Sequence, residues 1–175
     1  MATFPSELRG CKMSTALAKT MEIEIIEITE YPEDDRYEPF IQLAVQMQRD
    51  SNYREATVNL DKARENLRAW IASPHFLVAL AKNGDQMLGA VLGDVFSPWW
   101  TDEIFGRDKL IFVNPALEGH GIGTALYEYL LSWTTRKGAK VTYCATSTGI
   151  GTEAAIRIFQ KMGLRQHALM YTGET

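Results

Sequence analysis

The sequence predicts a single α/β domain built on a mixed sheet, and three observations carry that prediction. Short apolar runs alternate with helically periodic segments, in the order strand, two helices, three strands, helix, strand, helix, strand. Asn83-Gly84 stands between two apolar runs, which is a hairpin signal. Residues 109–137 join a short apolar strand to an amphipathic helix through a glycine-rich turn. A chain of 175 residues is one domain by length, able to bury about two-thirds of its unfolded surface.

Residues 1–20 lack the continuous apolar block of a signal peptide and are expected to be a mobile or surface-lying extension to a domain spanning 21–175. Met21 to Thr29 alternates glutamate with isoleucine except at Ile25-Ile26, predicting a half-buried strand with a bulge. Tyr31 to Asp35 is turn chemistry, after which Phe40, Leu43, Ala44 and Met47 mark the inward face of a helix. Beyond the polar loop 49–58, Asn59 opens a second helix with Ala63, Leu67, Trp70 and Ile71 inward, ended by Ser73-Pro74. The hairpin strands are Phe76 to Lys82 and Gln86 to Phe96, where Gly89 and Gly93 mark bulges or admit a close neighbour. Residues 97–103 break the pattern with Trp99, Trp100, Asp102 and Glu103. The strand Lys109 to Asn114 stops at Pro115, and the helix from about 121 to 136 buries Ile122, Leu126, Tyr129, Leu130 and Trp133. A strand at 140–145, a small-residue loop, a helix over 153–162 with Ala155, Ile158, Phe159 and Met162 on one face, and a last strand at 164–172 complete the chain.

Composition narrows the function. Apolar residues make up 46% and charged residues 23%, ordinary for a globular chain. A net charge of −4 supplies no basic footprint for nucleic acid and suits a cationic substrate. No run reaches the length of a membrane span. Cys11 and Cys144 do not make a disulfide framework, which points to a reducing, cytoplasmic compartment. The three His and two Cys lack metal-ligand spacing, so no metal is expected.

The turn Glu118-Gly119-His120-Gly121-Ile122-Gly123 is the chemical focus. Its glycines let backbone approach a ligand closely, and the first N–H groups of the following helix favour an anion. A glycine-softened turn that merely packs helix on strand is the plain alternative. Gly123 is followed by Thr124-Ala125, so the lysine of a P-loop is missing. Thr124 also takes the third glycine position of a dinucleotide fingerprint, and no acid follows about 20 residues on.

Val113-Asn114-Pro115 followed by Gly121-Ile122-Gly123 resembles the signature of the GNAT superfamily of N-acetyltransferases, with Glu118 standing where that family usually has Gln or Arg. The resemblance extends over the element order from 21 to 172 and implies a mostly antiparallel mixed sheet flanked by about four helices. It implies acetyl-coenzyme A as cosubstrate, and an amine acceptor. The coenzyme site it implies is Gly119, His120, Gly121, Ile122, Gly123 and Thr124 for the pyrophosphate, with Glu118 beside them, and Phe112 and Val113 for the pantetheine arm, whose thioester lies between this strand and the next. The Val113 N–H is implied as a donor to the thioester carbonyl.

Acetyl transfer from a thioester needs a neutral amine, a base for its proton and, ideally, an acid for the leaving thiolate. In the family the acid is a tyrosine of the fourth helix, and the matching frame here begins at Thr152 and places Phe159 at the tyrosine. Thr152 is left to cap that helix or touch the coenzyme, and a phenylalanine donates no proton. Three accounts stay open: the thiolate leaves unaided or through water, another hydroxyl such as Tyr143 or Ser147 substitutes, or the protein binds without catalysing. Glu103 is the first candidate base, with Asp94 and Asp102 as rivals; taken singly, each reads first as a plain solvated loop carboxylate. His75, His120 and His167 have strand-edge, solvent or phosphate, and core or surface readings respectively. Trp99 and Trp100 are read as a wall for a cationic amine, as packing over the sheet, or as a homodimer contact. The expectation is direct transfer to a primary amine, a small cation or a protein lysine or N-terminus; the alternative is a non-catalytic coenzyme- or partner-binding module.

Overall fold

The computed structural model describes residues 22–31 and 38–167. Its elements are β1 (Glu24–Glu27), α1 (Glu38–Asp50), α2 (Leu60–Ala72), β2 (Phe76–Asn83), β3 (Gln86–Phe96), β4 (Phe105–Val113), α3 (Ile122–Arg136), β5 (Val141–Tyr143) and α4 (Thr152–Lys161). Five strands lie in the order β1-β2-β3-β4-β5, antiparallel except for the parallel β4–β5 pair. The expected mixed, mostly antiparallel sheet with four helices is therefore present among the described residues. The 1–20 extension, Met21, the turn beyond Tyr31 and the far part of the last strand lie outside them; residues 164–167 carry no strand.

The sheet separates two apolar layers. One gathers Leu77, Leu88 and Val91 against Ile122, Leu126, Tyr127, Leu130 and Trp133 of α3. The other gathers Phe40, Ile41 and Val45 of α1 and Leu67 of α2 against Val78, Leu80, Leu92 and Phe112. Each fully buried Leu or Val contributes about 1.5–3 kcal/mol of transfer free energy. The alternation of the strands sends successive residues to opposite layers, which is why the central strands read as near-continuous apolar runs.

Several boundaries and faces differ from the sequence reading. β1 pairs β2 in unbroken register from Glu24 to Glu27, so Ile25-Ile26 is not a bulge. The register shifts lie at Ala81/Lys82 and Leu92/Gly93 instead. The inward face of α1 centres on Phe40, Ile41 and Val45, with Leu43 and Met47 at its margin, because Phe40 packs its ring 5.6 Å from that of Phe112. In α3 the buried tyrosine is Tyr127, whereas Tyr129 is partly exposed and donates its hydroxyl to Glu27 Oε2 at 3.1 Å. The cause is that α3 touches both the sheet and α4, so its buried stripe is wider than one helical period selects. Gly93 admits α3 and Gly89 the backbone of β4: a Cβ on Gly93 would lie 2.4 Å from Leu130 Cδ1, and one on Gly89 would lie 2.6 Å from the Phe112 carbonyl oxygen.

Candidate functional site

The site grows from a strand that loses one of its neighbours. β5 pairs β4 only through Phe105↔Val141, Gly106↔Thr142 and Arg107↔Tyr143. Of the nine residues of β4, the other six, 108–113, have no ladder partner on that edge among the described residues. The Asn114 N–H donates to the Leu88 carbonyl at 2.8 Å. Alternation along an antiparallel pair then turns the N–H and C=O of Val113 and Ile111 to the edge away from β3. Among the described residues these backbone groups form an open edge beyond the end of β5.

At the upper end of that edge the chain makes a 3-10 turn, Pro115–Leu117, with Asn114 Oδ1 accepting from the Ala116 N–H at 3.1 Å. Gly119 and Gly121 have φ of 83° and 82°, the left-handed region that glycine enters without steric cost, and a Cβ at either would meet nothing within 4 Å. Gly121 is the N-cap of α3 and offers no side-chain cap. Gly123 has a different reason: its Cβ would come 3.2 Å from Ile158 Cδ1, so the glycine lets α4 close on α3. Ile122 is buried, and any ligand contact it makes comes from its backbone. Glu118 is exposed. His120 Nδ1 lies 3.1 Å from the Glu118 carbonyl and 3.2 Å from that of Leu117, bracing the turn and leaving Nε2 outward. Thr124 sits half-buried in the first turn of α3.

At the lower end, where β4 and β5 part, stands a carboxylate that the sequence reading did not single out. Both Asp108 oxygens lie 3.1 Å from the Ala145 N–H, which donates across the gap, and Tyr127 donates its hydroxyl to Oδ2 over a long 3.5 Å. The Tyr127 ring meets Phe159 edge to face, with centroids 4.9 Å apart. Burial, only partly offset by the Ala145 and Tyr127 hydrogen bonds, pushes the Asp108 carboxyl up to about 6. Burial and then the Asp108 charge hold the Tyr127 phenol protonated, and the same two causes push the Cys144 thiol up to about 12. Asp108 has no apolar periodicity to advertise it; the only signal was a lone acid one residue before the strand as first delimited.

The opposite face of the same strands carries a second carboxylate. Asp94 is 4% exposed and accepts a bidentate pair from Arg107, Nε at 2.7 Å and Nη2 at 3.0 Å, with Lys109 Nζ 3.5 Å away. Leu92 faces Leu110 and Gly93 faces Asp108, so Lys109 is the extra residue of a bulge that brings it round to Asp94. Asp94 is thus engaged as an ion pair.

Glu103 and Asp102 are exposed in the segment before β4. At about 3.3 Å per residue, Glu103 is roughly 16 Å from Asp108 along the chain, and farther still from Val113. The structure does not bring it to the open edge. Trp99 and Trp100 are 92% and 68% exposed and meet edge to face at 5.5 Å, so they do not pack over the sheet. Tyr143 is exposed at the paired end of β5, stacked at 6.1 Å on Phe105 and 5.9 Å from the His167 ring. Ser147 lies in the loop before α4, where its carbonyl accepts from Asn52 Nδ2 at 3.4 Å. The Asn52 N–H also donates to the Thr148 carbonyl at 2.8 Å, so the α1–α2 loop is tied to the loop before α4. The N-cap of α4 is Gly151, without a side-chain bond, and Thr152 is the first helical residue rather than the cap. His75 is exposed before β2, its carbonyl accepting from Val95 N–H at 2.9 Å. Among the described residues no group of three or more His, Cys, Asp or Glu stands together as a metal site, and no helix is long and apolar enough to cross a membrane.

Comparison with known proteins gives this architecture a family. The acetyltransferase (GNAT) family profile matches residues 30–164. No curated protein sequence matches the chain. Among solved structures, an aminoglycoside acetyltransferase from an uncultured soil metagenomic sample is 19% identical with a TM-score of 0.66, covering 89% of this chain and 99% of that one. AAC(6')-Iy in complex with the bisubstrate analog CoA-S-monomethyl-acetylneamine is 15% identical with a TM-score of 0.65, covering 88% and 99%. A transcriptional regulator from Bacillus halodurans C-125 is 16% identical with a TM-score of 0.67, covering 88% and 100%. At these identities the structures establish the shared fold, and the family profile, spanning well over half of the sequence, establishes that the chain belongs to the acetyltransferase (GNAT) family.

Proposed function

We propose that the protein transfers the acetyl group of acetyl-coenzyme A directly to a primary amine in a ternary complex. The observation that carries the reading is the continuity of the open β4 edge with the turn at its end: six residues whose outer edge is unpaired among the described residues lead into two left-handed glycines and a helix start without a side-chain cap. An extended arm with amide groups complements the first part, through Val113 and Ile111, and a pyrophosphate complements the second, through the N–H groups of residues 119–124. Phe112 supports the strand from the other layer, Thr152 and Phe159 belong to α4, whose Phe159 ring rests on Tyr127, and Glu118 is exposed beside the turn. The thioester then lies farther down the edge, and the Val113 N–H serves an amide carbonyl of the arm instead.

For the acceptor we favour a small cationic amine. The support is the mild negative charge, the exposed Trp99, Trp100, Asp102 and Glu103, and the aminoglycoside substrates in the names of similar structures. The chain would then act in the cytoplasm, where acetyl-coenzyme A is made available. The second reading, coenzyme binding without turnover, is favoured by one observation, the phenylalanine at 159.

Calorimetric titration with acetyl-coenzyme A, followed by thiol release against a panel of small polyamines, aminoglycosides and lysine peptides, tests both. Acceptor-dependent release supports the enzyme; binding with no release across all three classes supports the module. Gly121→Asp sharpens the test. Aspartate tolerates the left-handed region better than most residues, so the fold should persist, while its charge opposes the pyrophosphate. Coenzyme affinity should fall at least about 100-fold, comparable to a few kcal/mol of charge repulsion in a partly desolvated site; unchanged affinity would remove the phosphate from this turn.

A further inference from the structure

Phe159 leaves the departing thiolate without the phenol at that position, yet a phenol and a carboxyl group stand directly behind it. Tyr127 is the shared neighbour: its ring edge meets Phe159 at 4.9 Å and its hydroxyl reaches Asp108. Asp108 in turn sits at the first β4 position beyond the paired end, with the Ala145 N–H crossing the gap to it. Under the proposed function, on which this inference rests, an arm laid along residues 113 to 109 from the glycine turn brings its sulfur end to this point.

We infer that Asp108 is the proton donor to the leaving coenzyme A thiolate, held in position by Tyr127 and the Ala145 N–H, in place of the phenol that position 159 lacks. The amine nitrogen attacks the carbonyl carbon, the C–S bond breaks and sulfur leaves with the bonding pair. The Asp108 carboxyl proton passes to that sulfur. The proton shed by the acylated nitrogen goes to solvent, and solvent reprotonates Asp108, so each turnover is balanced. A donor raised by burial to about 6 still passes its proton downhill to a thiolate, whose ordinary pKa is about 8.5. Tyr127, pushed the other way by the same burial, is the poorer acid and the better hydrogen-bond anchor.

The charges around Asp108 are few. Tyr127 faces it from α3, and Cys144, the residue after β5, has a thiol that feels its charge. Arg107, Lys109 and Asp94 lie on the other face of the sheet, joined to one another. No cation among the described residues pairs with Asp108.

The test compares wild type, Asp108→Asn, Phe159→Tyr and the double variant, with acetyl-coenzyme A and the best amine found in the panel. Asn keeps an oxygen for the Ala145 N–H but has no acidic proton. Its kcat should fall roughly 10- to 100-fold, at the low end of general-acid effects because a thiolate leaves readily, with acetyl-coenzyme A affinity by calorimetry unchanged. The wild-type to variant ratio should be largest below about pH 6 and shrink as pH rises and the donor loses its proton. Phe159→Tyr should raise kcat about tenfold more in the Asn variant than in the wild type. Independently of turnover, the carboxyl carbon of Asp108, followed by carbon-13 NMR titration, should shift its midpoint when coenzyme A is added. A pH-independent kcat ratio, an absence of rescue by Phe159→Tyr, or an NMR midpoint blind to coenzyme A would each overturn the assignment while leaving the acetyltransferase reading intact. Absence of thiol release from the wild type with every amine would instead overturn both.

Discussion

Asp94 and Asp108 are two carboxylates on neighbouring strands, on opposite faces of one sheet, and they are solved differently. Asp94 faces the helical layer of α1 and α2 and is neutralised by Arg107 and Lys109. Asp108 faces α3 and, among the described residues, receives only an N–H and a phenol. A carboxylate desolvated without a cation is one whose proton comes within reach of neutral pH. The bulge at Lys109 creates the difference, because the extra residue carries the lysine round to Asp94 and leaves Asp108 alone at the mouth of the gap.

The largest effect should come from breaking the paired member. Asp94→Asn strands Arg107 and Lys109 against the Phe96, Trp70 and Phe76 rings they lie over. Arg107 is 45% exposed on its side chain, so water recovers part of the loss, and about 2 kcal/mol of destabilisation is expected between fully buried and surface pairs. Urea unfolding should show a lower midpoint with an unchanged slope; a shift under a few tenths of a kcal/mol would mean that the pair contributes no more than an exposed one.

Asp108→Asn should have the opposite sign. The folded carboxyl titrates near 6, above an unfolded value of about 3.9. Between those values the native state binds more protons than the unfolded chain, so stability contributed by this group is present at low pH and is lost as pH rises through about 6. Removing the charge should then stabilise the protein by about 1–2 kcal/mol at pH 8 and by nothing near pH 4, a gain in stability at a functional carboxylate. Equal stability of variant and wild type across that range would deny the desolvation that separates Asp108 from Asp94.

Much of this was legible in the chain, and the parts that were not have physical reasons. The hairpin turn, the Asn59 cap, which accepts from the Lys62 N–H at 3.0 Å, and the helix behind the glycine turn are local decisions, and local chemistry announces them. Gly119 and Gly121 carry the left-handed conformations their position in the turn demanded. Tyr127 was hidden because a single helical period assumes one buried face, whereas α3 has two. Asp108 was hidden because its importance comes from where β4 and β5 separate, a fact about pairing that no window along the sequence contains. Glu103 failed to reach the open edge for the converse reason: β4 begins at Phe105 rather than Lys109, so proximity in sequence to the strand became distance along it.

The smallest effect sharpens the comparison by asking whether the Asp108 charge is felt by its neighbour. Burial is the first cause of the raised Cys144 thiol and Asp108 only the second, so the thiol stays protonated at neutral pH whether or not Asp108 is charged. In a Cys11→Ser background, iodoacetamide should therefore modify Cys144 slowly at pH 8, since the thiolate is the reactive form. Asp108→Asn should speed that reaction, by less than about tenfold, because only the electrostatic part of the shift is removed while the desolvation part remains. Asp94→Asn should leave the rate unchanged, its carboxylate being across the sheet and already paired. A rate that rose equally in both variants would mean that Cys144 reports loosening of the sheet rather than charge, and the distinction between the two carboxylates would have to rest on stability alone.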